Sequence, residues 1–134
     1  MDLTQDEITM AELIRKELGE DFVFKPFVLY NNELDCIRVQ TMDCSVTEVS
    51  VGTLLNLLEQ NYPENDETTY VGFNMECARS FCRERGLSDC GKVSVIKILG
   101  SLAETDHVAR QAILNIALPI LKEHGLDEVE FPPT

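Results

Sequence analysis

Thr53-Leu54-Leu55-Asn56-Leu57-Leu58-Glu59-Gln60-Asn61-Tyr62 is the stretch on which the architecture turns. Leu54, Leu55, Leu57 and Leu58 fit the stripe of an amphipathic helix. A strand continuing a meander would instead set Leu55 and Leu57 against Leu54 and Leu58, and over so short a run periodicity does not separate the two readings. As a strand the segment completes a sheet of five; as a helix it leaves four.

The residues on either side read as strands. Residues 22–30 are aromatic and β-branched with Pro26 inside, which suits only an edge or a bulge because proline cannot donate to a ladder. Asn31-Asn32-Glu33 supplies turn chemistry. Residues 35–41 then alternate, with Ile37, Val39 and Thr41 on one side and Cys36, Arg38 and Gln40 on the other, so one face is buried and the pair forms a hairpin. Met42-Asp43 marks a second turn, and residues 45–51 give a shorter third strand rich in valine and threonine. Beyond the ambiguous stretch, residues 63–68 are an acidic, polar, exposed loop, and Tyr70-Val71-Gly72-Phe73 resumes the sheet.

Helices are expected at both ends. Thr4 and Glu7 match a capping box, and Ile8, Ala11, Ile14 and Leu18 recur at helical spacing up to Gly19. In the second half, residues 76–85 place Cys77, Ala78, Phe81 and Cys82 on one face and Arg79, Ser80, Arg83 and Glu84 on the other, with Gly86 as the stop. Residues 92–103 carry Val93, Ile96, Leu99 and Leu102 at helical spacing, although Val93 and Val95 leave a strand open. Thr105-Asp106 caps a last helix through Glu123 whose apolar positions nearly encircle it, a pattern of burial, and Pro119 is expected to kink it. The tail from residue 129, with Pro132-Pro133, is expected to be extended or frayed. The predicted fold is α+β in one domain, 1–134: an N-terminal helix, an antiparallel β-meander of four to five strands over about 22–75, then three helices over about 76–124 packed on one face.

Part of this pattern resembles a family. Tyr30-Asn31-Asn32-Glu33-Leu34-Asp35-Cys36-Ile37-Arg38-Val39, then Glu48-Val49, and Val71-Gly72-Phe73-Asn74-Met75 are similar to the successive strands of a small family of uncharacterised prokaryotic β-meander domains. The resemblance runs over residues 30–78 and implies that residues 54–59 are a strand. It lends no activity, and the acidic loop before Val71 and the helices after it depart from the family pattern.

Charge narrows the function. With 24 acids against 11 bases, a net charge of −13, the surface repels a phosphate backbone, so direct nucleic-acid binding is not expected. No run approaches the roughly 20 apolar residues of a membrane span. Met1-Asp2-Leu3-Thr4-Gln5-Asp6-Glu7 puts acid where a targeting signal carries base, which points to the cytoplasm. Cys36, Cys44, Cys77, Cys82 and Cys90 form an odd set without paired spacing and read as reduced thiols.

The motifs of catalysis and cofactor binding are not written here. The seven glycines never cluster into a phosphate-binding loop, and no Gly-x-Ser-x-Gly occurs. Cys77, Cys82, Cys90 and His107 have the ligand chemistry of zinc but the wrong spacing, so no metal is expected and core packing accounts for the thiols. His124 suits a helix C-terminus, where a cation meets the dipole. Arg79, Arg83 and Arg85 gather cations on one predicted face. Arg79 and Arg83, one turn apart, can grip a carboxylate or phosphate, or else pair with Glu76, Glu84 or the acidic loop. Glu64, Asp66 and Glu67 form the acidic counterpart.

Three readings of function follow. The first is a non-enzymatic inhibitor, immunity or regulatory protein that meets a basic protein partner through its acids, with Arg79, Arg83, Glu64, Asp66 and Glu67 as contact residues and no cofactor. The second is an enzyme or redox protein with a dispersed site, for which Cys90, in the loop 88–91, is the candidate reactive thiol. The third is a homodimer or larger homo-oligomer built through the final helix or a strand edge.

Overall fold

The computed structural model describes residues 23–133; the helix expected at residues 4–19 lies outside them. In chain order the elements are β1 (Phe27–Asn31), β2 (Cys36–Gln40), β3 (Val46–Val51), β4 (Leu55–Gln60), β5 (Tyr70–Met75), α1 (Ala78–Glu84), β6 (Gly91–Ser94), α2 (Val95–Thr105), α3 (His107–Ala112), a π-helical turn (Ile113–Ala117), α4 (Leu118–His124) and β7 (Glu128–Phe131). The mixed α+β class is as expected. The ambiguous stretch is a strand. In β4 the residues Leu55, Asn56, Leu57 and Leu58 are all buried, so neither face is left to solvent, and Leu58 on the same face as Asn56 erases the alternation that betrays a strand.

The five-stranded sheet is antiparallel, but its order β1-β2-β5-β4-β3 departs from the expected meander. A meander would set β3 at the centre and β5 at an edge. The contents of the strands oppose that arrangement. β3 carries Thr47, Glu48 and Ser50, which tolerate an edge, whereas β5 buries Val71, Gly72, Phe73 and Met75 and takes the centre. Three strand spacings separate β2 from β3, about 14 Å, which the connection through residues 41–45 spans easily when extended. Thr41 then ties β2 to its inserted neighbour, its N–H donating to the Val71 carbonyl at 2.8 Å. Gly72 permits the insertion, because a Cβ there would lie 1.9 Å from the Val39 carbonyl oxygen. β1 begins directly after Pro26 and lies at an edge, where a missing donor is harmless.

One sheet face, carrying Ile37, Val39, Leu55, Leu57, Phe73 and Met75, joins a single buried cluster with α1, α2, the final helical stretch and β7. Two local differences from expectation have physical causes. The predicted helix over 92–103 divides: Gly91–Ser94 pairs with Glu128–Phe131, and the helix begins only at Val95 because Ser94 caps it, accepting from the Lys97 N–H at 3.2 Å. Asp127 fixes that junction, accepting from the Ile96 N–H at 2.9 Å and the Ser94 hydroxyl at 2.9 Å. Of the two readings of the tail, extended is the one found, with Phe131 fully buried in β7.

The last helix, expected to be wrapped in protein, exposes Val108 (71%) and Leu114 and buries only Ala109, Ile113, Ala117, Ile120 and Leu121. Ahead of Pro119 the backbone widens into the π turn Ile113–Ala117, a common device for absorbing a residue that breaks the α-helical ladder. Asp106 ties this helix to the sheet. Its carboxylate caps α3 by accepting from the Val108 and Ala109 N–H groups, and it accepts from Thr53 N–H at 2.8 Å in the β3–β4 turn.

Candidate functional site

The predicted arginine face dissolves once the chain is folded. Arg79 is only 8% exposed. Its Nε donates to the Asp89 carbonyl at 2.9 Å, its Nη2 donates to the Pro132 carbonyl, and its guanidinium carbon lies 5.7 Å from the centre of the Phe131 ring. It is a buried clasp between α1, the following loop and the tail, and it is not available to grip a ligand. Arg83 pairs with Asp89 at 2.6 Å, and Arg85 with Glu104 at 3.4 Å. The hydrogen bond with Asp89 raises the Arg83 pKa, and the same bond lowers that of Asp89. The ion-pair reading of these arginines therefore holds for Arg83 and Arg85, with partners other than Glu76, Glu84 or the acidic loop.

Beneath that face sits a polar centre that sequence reading missed. Helix α1 is preceded at its N-cap by Cys77, which is left-handed (φ 53°) and offers no side-chain cap. Asp35, itself left-handed at φ 52°, supplies the cap from 42 to 45 residues away in the chain. Its Oδ1 accepts from the Arg79 N–H at 2.7 Å and the Tyr30 hydroxyl at 2.7 Å, and its Oδ2 accepts from the Ser80 hydroxyl at 2.8 Å. Burial alone would raise the Asp35 pKa, but the bonds from Tyr30, Arg79 and Ser80 outweigh it and the net shift is downward. Burial and the bond to Asp35 push Tyr30 up to about 12. The Tyr30 ring stands edge-on to Phe131 at 4.6 Å, which joins this centre to the Arg79 clasp. Through these bonds the centre ties the start of α1 to the first hairpin.

The acids predicted as contact residues do gather. β2 runs out at Gln40 and β4 at Gln60, and both strands end on the same side of the sheet, where Asn61 N–H donates to the Ser45 carbonyl and Gln60 N–H to the Thr69 carbonyl. That end carries Asp43, Glu59, Glu64, Asp66 and Glu67, none of them ion-paired among the described residues. Among them stand Met42 and Tyr62, the latter left-handed (φ 56°) and 91% exposed. The Asn61 side chain anchors the loop, accepting from the Thr47 hydroxyl at 2.7 Å and donating to the Ser45 hydroxyl at 2.9 Å.

The thiols split in a way the sequence does not show. Cys82 is buried, and burial pushes it up to about 11. Cys77, expected on the same apolar face, is exposed because its left-handed backbone precedes the helix and escapes the helical periodicity. Cys90 is likewise exposed, in its loop, so of Cys77, Cys82 and Cys90 the expected core packing holds for Cys82 alone. Cys36 and Cys77 both line a cavity of about 720 Å³ on the sheet face opposite the helices, together with Phe27, Leu29, Arg38 and Asn74. Among the described residues no set of three or more His, Cys, Asp or Glu side chains is placed to hold a metal ion, and no helix is long and apolar enough to cross a membrane.

No family model, curated protein or solved structure matches this chain.

Proposed function

We propose that this chain is a non-enzymatic interaction protein, of inhibitor, immunity or regulatory type, whose acidic sheet end around Tyr62 engages a protein partner with a basic surface. One observation carries the reading. Among the described residues Arg38, Arg79, Arg83, Arg85 and Arg110, all the arginines there, bond within the fold, while Asp43, Glu59, Glu64, Asp66 and Glu67 stand together with no ion pair to any of those residues. An uncompensated acidic cluster steers a basic partner in, and an exposed tyrosine ring among the acids offers a face for a lysine or arginine head and a compact anchor for the interface. Screening over about 8–10 Å at physiological salt makes such association salt-sensitive.

Exposed Cys77 and Cys90 suit a reducing compartment, and we place the protein in the cytoplasm. The resemblance of residues 30–78 to the prokaryotic meander domains is part of the same proposal; a strand at residues 54–59, which it implies, is present as β4, while the sheet order is not that of a meander. The exposed Val108 and Leu114 favour a homodimer as a second reading, which light scattering showing a monomer at all concentrations would exclude.

The test is capture of partners from native lysate at low and then moderate salt, comparing wild type with Glu64→Lys/Asp66→Lys/Glu67→Lys and with Tyr62→Ala. Expected is a partner lost on adding salt and weakened at least tenfold by the triple reversal. A partner held equally at both ionic strengths, or indifferent to both variants, overturns the proposal.

A further inference from the structure

Cys36 and Cys77 are 41 positions apart in sequence and line one cavity. The register of the sheet explains how they meet. Ile37 stands opposite Met75, so the next residues outward, Cys36 and Glu76, are also opposed, and Cys77 follows at once. Regular alternation would send the Cys77 side chain to the helix-covered face. Its left-handed φ of 53° breaks the alternation, and Cys77 joins Cys36 on the cavity side. Strand pairing sets the α-carbon of Cys36 about 5 Å from that of Glu76, and one further chain step of about 3.8 Å reaches Cys77, which brings the pair near the window of about 4.4–6.8 Å in which a disulfide closes.

The electrostatics agree with this adjacency. The Cys36 thiol is raised first by burial. A hydrogen bond with Asn74 pulls the other way, and negative charge at Glu76, Asp35 and Cys77 itself adds to the rise. Cys36 is half-covered and bonded to the Leu34 carbonyl at 3.3 Å, whereas Cys77 is exposed.

We propose that Cys36 and Cys77 are a redox pair that closes to an intramolecular disulfide on encounter with a low-molecular-weight disulfide of the glutathione type. Exposed Cys77, as its thiolate, attacks one sulfur of the small disulfide, forming a mixed disulfide and releasing one small thiol with the proton Cys77 gave up. Cys36, as its thiolate, then attacks Cys77 Sγ; the mixed bond breaks, the second small thiol leaves with the Cys36 proton, and the protein disulfide remains. Two protein thiols are oxidised and one small disulfide is reduced to two thiols. The new bond ties β2 to the β5–α1 junction across one end of the cavity, so redox state sets the shape of that cavity. This inference is independent of the acidic end and stands or falls separately from it.

The full-length protein is incubated with oxidised glutathione, quenched with acid, and digested with trypsin and a glutamyl protease, which together leave each of Cys36, Cys44, Cys77, Cys82 and Cys90 on its own peptide. Expected in the wild type is a Cys36–Cys77 cross-linked peptide, with glutathione retained only at Cys90, which lies outside the cavity and serves as the single-thiol control. In Cys36→Ser the mixed disulfide at Cys77 accumulates, and in Cys77→Ser no cross-link to Cys36 forms. Glutathione retained on wild-type Cys77 as it is on Cys90, or Cys36 linked to any other cysteine, overturns the proposal. Because the wild-type result decides by itself, a variant that fails to fold does not shield the idea.

Discussion

Replacing Asp35 tests whether a residue in the first hairpin holds the start of a helix more than forty residues on. Its carboxylate receives four donors: the Tyr30 hydroxyl, the Arg79 N–H, and the Ser80 N–H and hydroxyl. Asn tolerates the left-handed backbone and keeps an oxygen at Oδ1 for Tyr30 and Arg79, but it loses the charge and turns an amide against the Ser80 N–H. Charged hydrogen bonds are worth roughly twice neutral ones, so Asp35→Asn should cost about 1–2 kcal/mol. Asp35→Ala orphans the part-buried Tyr30 and Arg79 donors at about 1–3 kcal/mol each and adds the strain of alanine at positive φ, for a loss of about 3–5 kcal/mol. For a chain of this length the Asn variant should melt about 5 °C lower.

The pH dependence follows from the lowered carboxyl. A depressed folded pKa stabilises above the unfolded value of 3.8, and that stability is lost as pH falls through the folded value. Urea denaturation of wild type and both variants at pH 7, and again below pH 3.8, should show the gap between wild type and Asn closing in acid. Equal losses for Asn and Ala, or an Asn loss under about 0.5 kcal/mol, would refute the long-range cap.

Three further perturbations probe other joints of the fold. Tyr30, raised from 10.0 to about 12, should cost stability as pH climbs between those values, because the unfolded tyrosine releases its proton first; in Tyr30→Phe this part of the alkaline loss should vanish, and an unchanged alkaline profile would count against the Tyr30–Asp35 bond. Gly72→Ala drives a Cβ against the Val39 carbonyl and must part the two central strands, so a loss of about 3 kcal/mol or more is expected in denaturant titration; wild-type stability would show that β5 does not approach β2 this closely. Asp106→Ala removes the acceptor for Thr53, Val108 and Ala109 and should cost about 1–2 kcal/mol, with hydrogen exchange quickening at Thr53 as well as in the first turn of α3; a change confined to the helix would mean the turn is held some other way.

Local chemistry was legible wherever one residue's neighbours in sequence are also its neighbours in space. The alternation of Ile37 and Val39 against Cys36 and Arg38, the cap at Asp106 and the acidic loop around Glu64, Asp66 and Glu67 all express periodicity or short-range hydrogen bonding, and the chain alone sets them. Tertiary structure decided the rest. β4 hid its strand character because the sheet buries it on both sides, and β5 moved to the centre because burial sorts strands by apolar content rather than by order of synthesis. Arg79 looked exposed from its helical position, yet the tail closed over it. Asp35 could not announce itself as a cap for a helix beginning at Ala78, and Cys36 and Cys77 could not announce that they share a cavity. A hydrogen bond or a thiol pair closed across a loop of some forty residues leaves no spacing in the sequence to be read; only the packing that brings its two ends together creates it.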